Sequence, residues 1–598
     1  MLKYGKVNKP PSMKNPYKLS QNHNQPPSFE ESLATILPLF VGETRNLIII
    51  IITVLINIGT GVITPYIITR AIDGPIANKD IQTLAIMSLG LVILYIISAI
   101  AAYGQARIMG YVSQRVLFRL RAKVFSSLQS LPIDFFNRNK AGDLISRINN
   151  DTNKINQFLS EGVLRFTSLF FSLIGIAAMM LYLNWQLASI VFILTAIILI
   201  ITRIATPFIE GVNKVGLENQ GALSSEVQEG LLNFNAIVAF QIQDYYQNNF
   251  NKISQAVYSS KIQTNILNDS IAPLYTFVAN LSQIILLAIG VSFILSGSIT
   301  IGLLIGFLAY AQKFFEPLRI LGSIVGSLQG ALAAWTRVQE IISLESNLIL
   351  EEDKSGLKKR KTKHILEFEN VSFGYDEKQI LKNMNFNLEQ GKTYALVGPT
   401  GGGKSTTASL MARLYDPQKG LVKLYNKDIR THTAEDRTKA IGFILQEPFL
   451  FSGTIGDNIR YGNPDLANKS NAELIEILKD NNLLDLISDF EYGVATNIEN
   501  NAISIGQKQI ISFIRVLLRR PQLLILDEAT ANIDTVTEQN LQDIINQLPD
   551  TTTKVIIAHR LNTIKKADQI FFINQGILTP AEDFQHALNL IKTKDGES

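Results

Sequence analysis

The chain contains no cysteine. That excludes disulfides, thiolate-bound metals and a cysteine nucleophile, while leaving the compartment open. Charge is also scarce: 18% of residues are charged against 47% hydrophobic, and the mean hydropathy is positive. The shortage is uneven. Long uncharged runs fill the first half, whereas the second half is an ordinary mixed sequence, the profile of a membrane domain joined to a soluble one. A net charge of +4 is too small to argue for nucleic acid, and no basic stripe stands out. The opening, MLKYGKVNKPPSMKNPYKLSQNHNQPPSFEES, lacks the apolar core of a cleavable signal peptide, so none is expected. No internal repeat is evident.

A helical membrane span takes about 20 mostly apolar residues. The candidates are Asn46 to Thr69, Ile81 to Ala106, Phe166 to Leu183, Leu187 to Thr202, Ile271 to Leu295 and Ile299 to Phe314. Between the second and third, the stretch Arg107 to Ser160 carries Arg107, Arg115, Arg119, Arg121, Lys123, Arg138, Lys140, Arg147 and Lys154 against only Asp134, Asp143 and Asp151. Basic loops stay inside, so both termini and both long loops are expected in the cytoplasm of a multi-pass cell-membrane protein. Apolar residues recur at helical spacing in VLFRLRAKVFSSLQSL and SSEVQEGLLNFNAIVAF. Paired helical extensions of ~25 residues would carry each loop ~40 Å from the bilayer, where the soluble half is the obvious dock.

A charged stretch, EEDKSGLKKRKTKH (351–364), precedes alternating strand-like and helix-like segments, which read as α/β. After the strand-like TYALV comes Gly398-Pro399-Thr400-Gly401-Gly402-Gly403-Lys404-Ser405-Thr406, then the helix-like TASLMARLY. This is the phosphate loop in its strand–loop–helix setting. The glycines let successive N–H groups turn toward phosphates, and the helix N-terminus adds its positive end. Lys404 is expected to reach the β- and γ-phosphates of ATP, and Ser405 to ligate Mg²⁺. Downstream, LLILDEAT sets an apolar strand directly before Asp527, a Mg²⁺ ligand, and Glu528, placed to orient or deprotonate water. A further strand, KVIIA, leads to His559, whose imidazole could touch the γ-phosphate.

In this combination the soluble half resembles the nucleotide-binding domain of an ATP-binding-cassette (ABC) transporter, and residues 30–570 resemble a half-size exporter of the multidrug and lipid type. The resemblance implies six transmembrane helices with long cytoplasmic extensions in an all-α membrane domain, joined to an α/β phosphate-loop domain. It divides the chain into a cytoplasmic tail and elbow helix (1–44), a membrane domain (45–345), a linker (346–364) and a nucleotide-binding domain (365–598). VSFGY resembles the loop that would stack Tyr375 on adenine, and ILQEPFLF the loop whose Gln446 would sense Mg²⁺ and water. ATANID resembles the segment crossing to a partner, with Asp534 as its aspartate. In the membrane half, LPIDFF…GDLISRINND (131–151) and EGLLNFNAIVAF (229–240) resemble the two cytoplasmic coupling loops, and QKFFEPLRIL the continuation of the sixth span.

Members of this family sandwich two ATP molecules between two cassettes, each phosphate loop facing the other chain's signature, commonly L-S-G-G-Q. Here the signature is Ile503-Ser504-Ile505-Gly506-Gln507. Ser504, Gly506 and Gln507 are expected to face the partner's γ-phosphate, but Ile505 puts a branched side chain where glycine permits close approach. The lead-in, ATNIENNA, is also about two residues shorter than the family pattern. An intact phosphate loop beside an altered signature resembles one member of a heterodimeric exporter, whose partner has an intact signature and a defective carboxylate or histidine. A symmetric homodimer that tolerates Ile505, and an ATP-gated channel or regulatory subunit, share these motifs. A peptide-processing exporter needs a cysteine protease domain and is excluded. An importer is disfavoured because spans and cassette are fused. The sparsely charged spans suggest an apolar, amphipathic or lipid-like cargo, with Phe277 and Tyr310 among the aromatic residues that could line a cavity.

Overall fold

The structure, a computed structural model, describes residues 17–19, 37–346, 348, 350–351, 363–375, 378–446, 448–498, 503–527, 539, 541, 543–545, 548–557, 564–583, 585–587 and 589–590. Two compact units emerge: Ser20–Gln129 with Ala141–Ser343, and Met1–Leu19 with Ser130–Lys140 and Leu344–Ser598.

The first unit is helical because lipid offers no partner to a backbone N–H or carbonyl, so each apolar run must satisfy its own. Its main helices are α1 (Thr44–Ala71), α2 (Ile81–Ser130), α4 (Val163–Leu183), α5 (Trp185–Leu232), α6 (Gln243–Leu295) and α7 (Ile301–Ser343); α3 (Ile133–Arg138) belongs to the second unit. Six helical stretches are long and apolar enough to cross a membrane among the described residues. Helices α2, α5 and α6 have 50, 48 and 53 residues. At ~1.5 Å per residue each is more than twice as long as a ~30 Å hydrocarbon layer is thick, as the extended-loop reading requires. Only Asn184 separates α4 from α5, where two more residues were expected; its side chain accepts from Leu187 N at 3.0 Å and starts the next helix at once.

Helix α7 is held to α1 along much of its apolar length. Gly302 and Gly306, four apart, let the two backbones meet. A Cβ at Gly306 would strike the Thr69 hydroxyl, and one at Gly302 would come within 2.6 Å of Asp73 and the Thr69 carbonyl. Asp73 instead caps α7, accepting from Gly302 N at 2.7 Å and from the Thr300 hydroxyl. Deeper in the span, Pro65 interrupts α1 and has no N–H for the Gly61 carbonyl. Lys313 Nζ supplies the missing donor at 2.9 Å, and the fully buried Tyr310 donates to the next carbonyl, Val62 O, at 2.6 Å. Tyr310 therefore packs helices, while Phe277 is 65% exposed. At its far end α7 grips the chain returning from the first long loop. Arg337 Nε donates to the buried Asp151 at 2.7 Å, and buried Arg147 bonds Glu340 at 2.7 Å, the Arg337 carbonyl at 2.9 Å and Asp143 at 3.0 Å.

The second unit carries ten strands among its described residues: β1 (His364–Tyr375), β2 (Lys378–Glu389), β3 (Thr393–Val397), β4 (Lys419–Leu424), β5 (Lys427–Asp428), β6 (Ile441–Ile444), β7 (Leu523–Asp527), β8 (Thr553–Ile557), β9 (Gln569–Asn574) and β10 (Ile577–Ala581). One sheet is antiparallel, in the order β2-β1-β4-β5; the other runs β10-β9-β3-β8-β7-β6 and is parallel from β9 to β6. The unbroken apolar runs TYALV and LLIL suit strands buried on both faces. Segment α3 belongs here, tied by Asn137, whose amide donates to the Tyr415 hydroxyl at 2.9 Å. Burial pushes the Tyr415 phenol up, and the Asn137 bond partly opposes it.

If Lys313 replaces the hydrogen bond that Pro65 cannot make, Lys313→Met should cost ~1–3 kcal/mol by orphaning a carbonyl. In a Pro65→Ala background the same change should cost less than half as much, since alanine restores the N–H. Thermal unfolding of the two single variants and the double variant in detergent measures the difference, and additive losses would refute the pairing.

Candidate functional site

Strand β3 runs through the middle of the parallel sheet and stops at Gly398, where φ reaches 143°. Helix α8, Lys404–Met411, starts after Gly403, at φ 113°. A side chain would be strained at both. It would also collide: a Cβ at Gly398 would strike the Ile573 carbonyl of β9, and one at Gly403 would lie 2.7 Å from Leu381 of β2. Two strands thus clamp the loop from behind. Gly402 holds it further, donating to Pro399 O and accepting from Gly576 N, both at 3.1 Å. Thr400 and Gly401 remain exposed, and the N–H groups of Lys404, Ser405 and Thr406 precede the first intrahelical donor of α8, Thr407 N, which bonds Gly403 O. This is an anion cradle by construction.

Lys404 is 6% exposed, and its ammonium donates to the carbonyls of Gly398 and Pro399 at 2.9 Å each. The charge therefore arches over the loop instead of reaching into solvent. Ser405 Oγ donates to Asp527 Oδ1 at 3.2 Å, joining the head of α8 to the end of β7. A hydroxyl and a carboxylate beside an anion cradle are hard oxygen donors that fit Mg²⁺, an ion that takes few protein ligands and shares the rest with phosphate and water.

Sheet register brings these parts together. Leu396 of β3 and Asp527 of β7 flank β8, both opposite Ile557, so the three strands end along one edge. Ligands of open α/β sheets bind at such carboxyl ends. Gln446 is exposed two residues beyond β6, the neighbour of β7. Glu528 and His559 follow β7 and β8 in the chain but lie outside the described residues, as does Asp534. Tyr375 ends β1 in an edge-to-face cluster with Phe373 and Tyr415, at 5.1 and 5.4 Å. Phe373 pairs with Leu381, the side chain behind Gly403, so this hairpin backs the loop.

Ser504 and Gln507 open helix α9, Ile505–Leu517, in a reciprocal capping box: Ser504 Oγ accepts from Gln507 N at 3.1 Å, and Gln507 Oε1 accepts from Ser504 N at 3.0 Å. The serine proton stays free to be donated. Ile505 is 55% exposed in ordinary helical backbone, and Gly506 follows it into the first turn. The motif reading did not find Gln509, which is fully buried and whose amide reaches the Gln446 carbonyl at 3.4 Å, tying α9 to the segment after β6. The available signal was a glutamine at helical spacing among the apolar residues of that helix.

Known families match both units. Residues 47–318 match the ABC transporter transmembrane region, and residues 381–531 match the ABC transporter domain. An ABC transporter ATP-binding protein of Bacillus subtilis, YfiC, is 35% identical over 90% of this chain and 89% of its own length. A fatty acid ABC transporter ATP-binding/permease protein of Mycobacterium bovis is 30% identical over 81% of this chain and 76% of its own. An ATP-dependent lipid A-core flippase of Syntrophus aciditrophicus is 30% identical over 86% and 84%. With an apolar helical half and a clamped phosphate loop in one polypeptide, the chain belongs to the ABC transporter family as a half-size exporter, a multi-pass membrane protein that couples ATP hydrolysis to transport.

Proposed function

We propose that this chain is the catalytically intact half of a heterodimeric exporter for an amphipathic or lipid-like cargo. The observation that carries the reading is Ile505: a β-branched, largely exposed side chain beside Ser504 in the signature of a chain whose own phosphate loop is complete. Because α9 holds position 505 in ordinary helical backbone, glycine is not required there by the fold. The family's glycine answers to what approaches from outside, and isoleucine keeps that approach at a distance.

In this reading the productive site pairs the partner's signature with the present loop. The N–H groups of Gly401 and of Gly403 to Thr406 cradle the phosphates of ATP, and Lys404 exchanges two neutral carbonyls for phosphate oxygens. Tyr375 stacks on the base. Ser405, Asp527 and Gln446 would hold Mg²⁺, whose bound charge offsets that of the phosphates. Glu528 orients or deprotonates the attacking water, and His559 contacts the γ-phosphate. The weaker site pairs the partner's loop with Ser504, Gly506 and Gln507. Both termini and the cassette face the cytoplasm, as the arginine-rich loop implies. ATP moves the helices because it binds the closed pair of cassettes better than the separated pair. The cargo class rests on the sparsely charged spans and on relatives named for fatty acids and lipid A-core.

Glu528→Gln should lower turnover ~10²- to 10⁴-fold and stop transport into sealed vesicles; an ATP-gated channel would instead keep passing cargo down its gradient. Co-expression with a paralogous half-transporter should yield a one-to-one complex. A fully active symmetric dimer of this chain alone would end the heterodimer reading. Ile505→Gly in the complex should raise hydrolysis at the weaker site and leave the productive one alone, the gain surviving a block of the productive site but falling short of a second full site because the partner's own carboxylate or histidine is defective. No change would mean that the isoleucine is a tolerated substitution.

A further inference from the structure

A cavity of about 340 Å³ opens between α1, α2 and α4, close to the residue-44 end of α1. Leu47, Ile50 and Val54 of α1, Met109 of α2, and Leu164 and Phe171 of α4 line it. Its one polar lining side chain, Thr167, already donates to Val163 O at 2.8 Å. With nothing to hold water, such a cavity stays dry and takes hydrocarbon. Two further lining residues, Ile51 and Leu55, are 56% and 54% exposed, so it opens sideways where the membrane-spanning surface meets lipid.

The end of the cavity at Phe40 and Leu47 is basic. Arg119 donates to the Leu39 and Val41 carbonyls at 3.1 and 2.8 Å, on either side of Phe40. Arg115 and Arg119 share the buried Glu43, at 3.3 and 3.4 Å. Arg45 precedes Leu47 by two residues, Arg165 follows Leu164 directly, and both are exposed. Arg115 and Arg119 thus hold one carboxylate between them, and Arg45 and Arg165 adjoin lining residues in sequence; with Glu161 counted beside Val163, the basic excess is +2 next to a dry slot open to the bilayer. Basic pockets between membrane helices favour anionic head groups. We infer that this is a binding site for an anionic phospholipid of the surrounding bilayer, one acyl chain in the cavity and the phosphate among Arg45, Arg115 and Arg165.

The test uses the intact transporter in nanodiscs of phosphatidylcholine or phosphatidylglycerol with matched acyl chains, with retained lipid read by native mass spectrometry after detergent extraction. Phosphatidylglycerol should be retained in preference to phosphatidylcholine. Arg45→Gln with Arg165→Gln should weaken that preference about thirtyfold, while Arg45→Lys preserves most of it. Val54→Trp, which fills the slot and leaves the charges, should abolish retention. Equal retention of the two lipids by the parent protein would overturn the inference. So would competition by free glycerol phosphate, or retention unaffected by Val54→Trp, since either would mean a simple charged surface. The readout involves neither nucleotide nor partner, so failure here would leave the proposed export cycle standing.

Discussion

The hydrogen bond from Ser405 to Asp527 is the point on which the soluble unit turns. It joins the start of a helix to the end of a strand 122 residues later, and no local sequence preference could hold those groups together. What holds them is sheet order. Strand β8 inserts between β3 and β7, and Ile557 lies opposite Leu396 on one side and Asp527 on the other. Because a parallel sheet is hydrogen-bonded through the backbone and buried on both faces, its register cannot slip without exposing Leu523 to Leu526. The chemistry is therefore aligned by apolar packing several residues away from it. The glycine loop is fixed by the same means, wedged against the Ile573 carbonyl and the Leu381 side chain.

In the membrane unit a comparable constraint acts on α7. At one end Asp73 caps it, along the span Gly302 and Gly306 seat it on α1, and Tyr310 and Lys313 tie it to the carbonyls around Pro65. Beyond the span, Arg337 and Glu340 bind the chain returning from the first long loop. A helix of 43 residues, ~65 Å long, is thus anchored at both ends to neighbours in its own unit. The two anchors differ in kind. Close packing and carbonyl bonds in lipid hold one end, whereas buried ion pairs hold the other, where removing one partner would strand a buried charge.

Much of this was legible in the sequence, for a physical reason. Membrane spans announce themselves because lipid imposes length and apolarity on each run separately. The phosphate loop is legible because an anion cradle is local, nine consecutive residues whose backbone does the work. Asp527 is legible because a carboxylate ending a buried apolar strand is costly unless a donor or a cation meets it. What depends on neighbours distant in sequence was not. Nothing in QKFFEPLRIL singles out Lys313, since its acceptor is freed by a proline 248 positions earlier. Tyr310 read as a candidate cavity residue because composition cannot say that Val62 lies above its hydroxyl. The basic slot beside Phe40 needs three helices to be assembled before it exists.

Ile505 shows how the two kinds of information combine. Sequence says only that a glycine is replaced; geometry adds that helix α9 accepts the replacement without strain and that the capping box around it is complete. In the proposed heterodimer the loss therefore falls on approach by another body and not on folding of this chain. A device that folds normally but closes poorly lowers the differential affinity of one site for the closed state, and with it that site's share of the closing free energy. Closure can still proceed if the opposite site binds tightly, and reopening then needs hydrolysis only there. On that reading the isoleucine does not disable the transporter: it assigns the timing of reopening to one of the two nucleotides.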